Sequence, residues 1–228
     1  MTAARLDELA RKCAVAVDGV GLGDTGSAMK PVAFDLCCGS GGWASGLMAA
    51  GWHVIGFDID PQPLYPGEFC QRDVKSIQPK ELHGVTLIVA SPPCEQFSRH
   101  GMPWTRKRNP PPPDTSIVEH VRWLAKETGI PLVMENVKFA QAFIGPAKTH
   151  IGPFYLWGNV PSNPPSIGKF RKKESYGSKF RLARARIPKA IGRWIGEAFM
   201  PIECKFCGYQ FDSRCGLFGC PNCHGEGI

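Results

Sequence analysis

Long apolar runs are missing from this 228-residue sequence: none approaches the roughly 20 residues that a membrane-spanning helix needs. Residues 1–17, MTAARLDELARKCAVAV, carry charges on both sides of a short apolar stretch and offer no convincing cleavage site, so they are not typical of a signal peptide. These absences argue against a membrane partner. We therefore expect a cytoplasmic protein.

A strong excess of one charge is also missing, because Lys and Arg number 27 against 20 Asp and Glu, a net charge of +7. The surplus is concentrated in two segments, RHGMPWTRKR (99–108) and KFRKKESYGSKFRLARAR (169–186), where aromatic residues are interleaved with the cations. Basic clusters with aromatics are typical of nucleic-acid contact. Solvated loops are the alternative interpretation.

The ten cysteines are not distributed as a disulfide framework, which an intracellular chain would rarely build. The C-terminal part instead holds two Cys-x-x-Cys knuckles, Cys204 with Cys207 and Cys220 with Cys223. Four thiolates in this pattern favour tetrahedral Zn²⁺, and so short a stretch has too little core without metal. We predict a small structural zinc ribbon over 201–228, in which Cys215 or His224 could substitute as a ligand. Whether it also contacts DNA is left open.

Strand and helix patterns alternate from residue 32 onward, which favours an α/β fold with a doubly wound, mostly parallel sheet. The predicted strands are VAFDL, HVIGFDI, VTLIVA, PLVMENV and PFYLWGNV, and the predicted helices are GWASGLMAAG, SIVEHVRWLAKETG and IPKAIGRWIGEAF, with Pro188 in the first turn of the last. Residues 1–30 are predicted to form a short helix, over 4–16, and a flexible connector.

A glycine-rich turn follows the first predicted strand in FDLCCGSGGWASGL. Gly39, Gly41 and Gly42 permit a tight turn and a close approach of ligand to backbone. Asp35 ends this strand, and Asp58 and Asp60 end the next; carboxylates there typically hold the ribose of a nucleoside cofactor. Glycines that serve helix–strand packing alone are the alternative.

Cys94 follows an apolar strand and two prolines in LIVASPPCEQFS, so it would be displayed in the ligand crevice at the carboxyl end of that strand. An inert buried thiol is the alternative for any single cysteine. Glu135 interrupts the apolar strand LVMENV, and a buried carboxylate needs either a partner or a function. Both residues are candidate catalytic groups.

In this order and spacing, DLCCGSGG, SPPCEQFS and ENV resemble the DNA cytosine-5 methyltransferase family, closely over 32–140 and loosely over 150–200. The resemblance implies a Rossmann-like class I methyltransferase domain over 31–200. It implies that Cys94 adds to carbon 6 of cytosine, that Glu135 holds N3, that Asn136 orders the site, and that S-adenosyl-L-methionine donates the methyl group to carbon 5 of a base flipped out of duplex DNA. A thiolate is needed because carbon 5 is otherwise too weak a nucleophile.

The resemblance also assigns binding residues. Those implied for the cofactor are Asp35, Cys37, Gly39, Ser40, Gly41, Gly42, Trp43, Asp58, Ile59, Asp73, Val74 and Pro92, with Asp58 favoured for the ribose and Asp73 for the adenine. Those implied for DNA are Gln96, Ser98, Arg99, Arg106, Lys107 and Arg108, on a segment similar in position to the family's mobile catalytic loop.

The sequence departs from the family at several points. Glu95 stands where Gln usually follows the nucleophile, and Arg184 and Arg186 only echo the family's Q-x-R-x-R motif, although they remain candidate catalytic residues. Residues 150–186 leave room for only a reduced recognition region. We therefore expect a compact, phage-like member with short or loose sequence selectivity, in a bacterial host or phage-infected cell and without an obligate protein partner. The alternatives are the same chemistry on tRNA and a catalytically idle zinc-ribbon DNA-binding module.

Overall fold

The computed structural model describes residues 30–168, 186–203 and 210–211. The predicted helix over 4–16 and its connector, Arg184, and the four predicted zinc ligands Cys204, Cys207, Cys220 and Cys223 lie outside the described residues, so the zinc ribbon stays a prediction. Among the described residues, no helix is long and apolar enough to cross a membrane.

Seven strands form one sheet: β1 Val32–Leu36, β2 His53–Asp58, β3 Glu68–Gln71, β4 Val85–Ala90, β5 Leu132–Asn136, β6 Thr149–Ile151 and β7 Phe154–Gly158. Their order across the sheet is β3-β2-β1-β4-β5-β7-β6. The first five strands pair in parallel, whereas β7 runs antiparallel to both β5 and β6. A separate antiparallel pair joins β8 Ile202–Glu203 to β9 Gln210–Phe211.

Helices cover both faces of the sheet. They are α1 Gly42–Ala49, α2 Glu95–Gly101, α3 Pro103–Arg106, α4 Ser116–Thr128, α5 Gln141–Ile144 and α6 Lys189–Phe199, with single 3₁₀ turns at Val74–Ser76, Pro79–Leu82 and Lys138–Ala140. One face packs against the apolar side of α4, and the other packs against α1 and α6. Buried strands covered on both faces explain why their sequences are continuous apolar runs.

Helices α1 and α6 approach each other closely because each has a glycine at the contact. A Cβ built on Gly46 would lie 2.5 Å from the Cα of Gly192, closer than real side chains allow. The same contact holds the first turn of α1, where Gly42 faces the backbone of Ile187. The start of α1, and with it the glycine-rich turn, is therefore held firmly against the domain.

The predicted mostly parallel sheet with helices on both faces is confirmed, but the structure differs from the expectations in detail. Strands β3 and β6 were not predicted, because runs of four and three residues carry too little periodicity. Pro188 caps α6 instead of lying in its first turn. The segment after Cys94 forms helices α2 and α3, where the resemblance implies a mobile loop.

Candidate active site

The carboxyl ends of β1, β4 and β5 meet at one edge of the sheet. Strands β1 and β4 are neighbours, yet the chain leaves β1 towards β2 on one side and continues from β4 to β5 on the other. Such a reversal opens the crevice in which doubly wound sheets bind ligands. The glycine-rich turn, the Ser91–Cys94 turn and the Glu135–Asn136 pair all border this crevice because each ends one of these strands.

Cys94 and Glu135 interact electrostatically across the ends of β4 and β5. Cys94 is half-buried at the N-cap of α2. Its thiol pKa is raised first by burial and then by the neighbouring charge of Glu135. Glu135 is half-buried as well, and burial raises its pKa from 4.5 to about 8. The predicted acid is therefore close enough to the predicted nucleophile for its charge to oppose ionisation of the thiol.

Ser91 is a site residue that the sequence reasoning missed. Its hydroxyl accepts a hydrogen bond from Nε1 of Trp43 at 3.0 Å, and its hydrogen bonding lowers the pKa of Glu135, which partly offsets the effect of burial. Trp43 itself is buried and thus positions Ser91 from beneath the crevice. The position of Ser91 at the start of SPPC was the only available signal, and it points to no particular partner.

Asn136 connects the end of β5 to the segment that follows β4. It is fully buried, its Nδ2 donates to the carbonyl oxygen of Pro92 at 2.9 Å, and its Oδ1 accepts from the amide of Val137 at 2.9 Å. Pro92 is buried too. This bond connects β5 to the segment that carries Cys94, and the ordering role of Asn136 stays a prediction.

The glycine-rich turn is held in place by backbone hydrogen bonds. The amide of Gly39 donates to Oδ2 of Asp58 at 2.9 Å, and the amide of Asp60 donates to Oδ1 of Asp58 at 3.0 Å. Gly39 has a φ of +48°, and a Cβ built on it would meet no atom within 4 Å. Gly41 has a φ of +76°, and its Cβ would lie 2.3 Å from Cδ of Pro66. Gly39 thus faces open space, while Gly41 is required for packing.

Asp35 lies beneath this turn, not at its rim. The side chain is fully buried, and its Oδ2 accepts a hydrogen bond from the hydroxyl of Tyr65 at 3.1 Å. Burial raises the pKa of Asp35 well above its usual range, and burial together with the Asp35 charge raises the pKa of Tyr65. Asp35 therefore supports the turn through Tyr65, a partner that the sequence did not indicate, whereas Asp58 is only half-buried at the edge of the turn.

The remaining predicted cofactor residues fall into two groups. Cys37 and Ser40 are half-buried in the turn, and Gly42 and Val74 are buried behind it. Ile59 and Asp73 are exposed at the ends of neighbouring strands, and Oδ1 of Asp73 accepts from the amide of Lys75 at 2.9 Å. The structure therefore brings the turn, Asp58 and Ile59 to one rim, while Asp73 is engaged in capping its own 3₁₀ turn.

The predicted nucleic-acid residues lie on α2 and α3 and just after them. Arg99, Lys107 and Arg108 are exposed, and Arg106 ends α3. Ser98 instead lies close to Cys94, where its hydrogen bonding lowers the thiol pKa against the effect of burial. Oε1 of Gln96 accepts from the amide of Asp114 at 2.7 Å, which anchors the proline-rich loop.

Arg186 lies beside the first turn of α1. Its Nη2 donates to Oγ of Ser45 at 2.9 Å, and the hydroxyl of Ser45 donates to the carbonyl of Gly41 at 2.8 Å. The structure thus places this arginine at the glycine-rich turn. Within the described part of the chain, no cluster of three or more His, Cys, Asp or Glu could hold a metal ion.

Three solved structures illustrate the similarity to known proteins. A protein described as a DNA modification methyltransferase encoded within a prophage (E. coli) is 21% identical, covering 49% of this chain and 33% of that chain, with a TM-score of 0.38. Dnmt2 methyltransferase of S. pombe is 18% identical, covering 51% of this chain and 37% of that one, at 0.38. The Entamoeba histolytica methyltransferase EhMeth is 17% identical, covering 50% of this chain and 40% of that chain, with a TM-score of 0.38. The chain thus spans little more than a third of their lengths, and these likenesses carry no argument about function.

The similarity at the level of the family is one of sequence. No curated protein matches the chain. Residues 32–143, however, match the family of C-5 cytosine-specific DNA methylases. The matched segment contains the glycine-rich turn, Cys94 and the Glu135–Asn136 pair, and it confirms the resemblance drawn from those motifs. Over residues 32–143, just under half of its length, the chain is therefore similar to the family of C-5 cytosine-specific DNA methylases.

Proposed function

We propose that this protein transfers a methyl group from S-adenosyl-L-methionine to carbon 5 of cytosine in DNA, through a covalent bond between Cys94 and carbon 6 of the base. The observation that carries this proposal is the position of Cys94 just beyond β4 and of Glu135 at the end of β5, two strands that pair in parallel. A thiol and a carboxyl group held together in a crevice are the nucleophile and the acid that addition to a pyrimidine ring requires.

Glu135 supplies a proton near neutral pH. With a pKa of about 8, its carboxyl is mostly protonated at pH 7, so it can donate a hydrogen bond or a proton to N3 of the base. That donation draws electrons from the ring and makes carbon 6 more electrophilic. Cys94 gives its thiol proton to solvent and bonds to carbon 6, which turns carbon 5 into a nucleophile. The electric field of Glu135 opposes the thiolate least when Glu135 holds its proton.

Completion of the reaction returns both groups to their starting states. Once carbon 5 is methylated it loses its proton to water, and the electron pair that is released expels the Cys94 thiolate from carbon 6. N3 then returns its proton to Glu135, and the thiolate takes a proton from solvent. The Asn136–Pro92 bond keeps Cys94 and Glu135 in a fixed relative position during these steps. Asn136 is therefore a positioning residue, as its burial favours.

The residues at the glycine-rich turn suit a nucleoside cofactor. Gly39 offers open space above its Cα, and Asp58 presents its carboxylate at the same rim. When bound, S-adenosyl-L-methionine would supply an electrophilic methyl group on a sulfonium. We assign Asp58 to the ribose and the exposed Ile59 to the apolar face of the adenine. The buried Asp35 acts only through the structure of the turn.

A duplex hides carbon 5 and carbon 6 of cytosine within the base stack, so a paired target base has to be flipped outward. The exposed cations Arg99, Lys107 and Arg108 follow Cys94 within one short segment. They are suited to phosphate contacts, which position DNA without reading its sequence. We further propose that Cys204, Cys207, Cys220 and Cys223 hold a structural Zn²⁺.

Methyl uptake from isotope-labelled S-adenosyl-L-methionine tests the proposal. The wild-type protein is expected to produce 5-methylcytosine in DNA, detected by mass spectrometry of the digested nucleosides. Cys94→Ala is expected to abolish this product while it preserves the thermal unfolding midpoint and cofactor binding. Methylation of tRNA but not DNA would favour the RNA alternative. Binding of DNA without any methyl uptake would favour an idle DNA-binding module.

A further inference from the structure

The segments that follow Cys94 and Glu135 pack together and leave large apolar side chains in solvent. The ring of Phe139 covers Gly101, where a Cβ would lie 1.9 Å from Cε2 of the ring, and the ring of Phe143 lies 4.7 Å from that of His100. The exposed members are Met102 at 39%, Trp104 at 67%, Phe139 at 44% and Phe143 at 37%. We call these four residues the apolar surface.

The two segments that carry the apolar surface are rich in cations, although Glu95, Asp114 and Glu135 border them. Neither 96–113 nor 136–150 contains an Asp or a Glu, while these stretches carry Arg99, Arg106, Lys107, Arg108, Lys138 and Lys148. Exposed apolar groups mark an interaction site, and the excess of cations over carboxylates in these segments favours a polyanion over a protein partner. Two of its residues follow the helix that begins directly after Cys94, and the other two follow Glu135 within eight residues, which favours the substrate strand as its occupant.

The aromatic character of this surface bears on the form of the substrate. A paired duplex offers phosphates, which bind cations. It offers few base faces to aromatic rings, because the faces of stacked bases are already covered by their neighbours. Unpaired bases expose those faces, and aromatic side chains beside a basic groove are the usual platforms for them. Resting on the proposed function, we infer that the preferred substrate is cytosine in unpaired DNA, and that Trp104 stacks on a base that flanks the target.

A single-stranded phage DNA circle and its covalently closed duplex form provide substrates of the same sequence, so the target sequence need not be known. Wild-type protein is expected to methylate the single-stranded circle with the higher kcat/KM per cytosine. Trp104→Ala is expected to raise KM for this circle about tenfold and to leave kcat nearly unchanged, because stacking on a flanking base contributes to binding. Trp104→Phe is expected to restore most of the loss.

Trp123→Ala is the matched control, because Trp123 is also an exposed tryptophan, 38% accessible, but lies on α4 beside His120. It is expected to leave both KM values unchanged. Preference for the duplex circle, or equal effects of the two tryptophan substitutions, would overturn the inference.

Binding separates this inference from the proposed function. Affinity for a fluorescein-labelled oligo-deoxycytidine, measured by anisotropy, is expected to fall about tenfold in Trp104→Ala and to stay constant in Trp123→Ala. That result without methyl uptake on either circle would reject the proposed function and retain the stacking surface. Methyl uptake with unchanged affinity in Trp104→Ala would retain the proposed function and reject the surface.

Discussion

The side-chain amide of Asn136 donates to the carbonyl of Pro92 at 2.9 Å, which joins the end of β5 to the turn before Cys94. Both residues are buried, so neither group can exchange its partner for water. This bond is the contact through which we propose that Asn136 acts. It explains how two strand ends that are 41 residues apart in sequence (94 and 135) hold a thiol and a carboxyl group in a constant relationship.

Asn136→Ala is expected to lower both stability and turnover. The substitution leaves the buried Pro92 carbonyl without its partner, which costs about 1–3 kcal/mol in the free energy of unfolding. It also loosens Cys94 relative to Glu135, so kcat is expected to fall more than KM changes. Urea denaturation and steady-state kinetics measure the two effects.

Asn159→Ala is the control for this prediction. Oδ1 of Asn159 accepts from the amide of Leu132 at 3.0 Å, at the opposite end of β5. Its loss is expected to affect stability but not kcat. An equal fall of kcat in both variants would mean that Asn136 acts only through general stability.

Glu135→Gln is expected to make the free energy of unfolding less dependent on pH. The folded pKa is about 8 against 4.5 as its ordinary value, so the folded state binds a proton that the unfolded state lacks between those values. Wild-type stability therefore decreases as pH rises across this window, and the neutral glutamine removes that contribution. Relative to wild type, the free energy of unfolding of the variant is expected to increase by a few kcal/mol at most as the pH approaches about 8.

Urea denaturation between about pH 5 and about pH 8 measures this difference. Glu127→Gln, at an exposed position of α4, controls for the loss of a surface carboxyl. A stability difference between Glu135→Gln and wild type that does not change with pH would contradict the raised pKa. In the methylation assay, Glu135→Gln is expected to reduce kcat by about 10²–10⁴-fold, because it removes the acid.

Gly39→Ala and Gly41→Ala are expected to have different consequences. The Cβ at Gly39 meets no atom, so the substitution costs about 1 kcal/mol of left-handed backbone strain but places a methyl group in the proposed cofactor space. We expect a raised KM for S-adenosyl-L-methionine with a small change in the unfolding midpoint. The Cβ at Gly41 would collide with Pro66, so that variant is expected to unfold at a clearly lower temperature. Calorimetry and cofactor titration distinguish the two, and unchanged cofactor binding in Gly39→Ala would contradict the assignment.

One equivalent of zinc per chain is expected by elemental analysis of the purified protein, because two Cys-x-x-Cys knuckles supply four thiolates. Cys207→Ser and Cys223→Ser are expected to lose the metal, while Cys215→Ser is expected to retain it. Zinc loss in Cys215→Ser would place that residue in the ligand set. Metal-free wild-type protein would refute the ribbon.

The sequence alone was sufficient for the alternation of strands and helices, because buried strands such as VTLIVA and the amphipathic α4 have strong local patterns. It also indicated the candidate nucleophile and acid, since Cys94 follows one apolar strand and Glu135 interrupts another. Short β3 and β6 escaped prediction because their few residues carry no clear period. The pairing of β7 antiparallel to β5 depends on the sheet and not on local sequence.

Only the tertiary structure decided which groups support one another. Asp35 and Asp58 both end apolar strands, yet packing buried the first against Tyr65 and left the second at the rim of the turn. Ser91 and Tyr65 likewise have hydrogen-bond partners from segments distant in sequence, and the apolar surface combines residues from two such segments. Local sequence determines which residue types border the end of a strand. The burial of those residues, their hydrogen-bond partners and therefore their pKa values depend on which other segments pack beside that strand end.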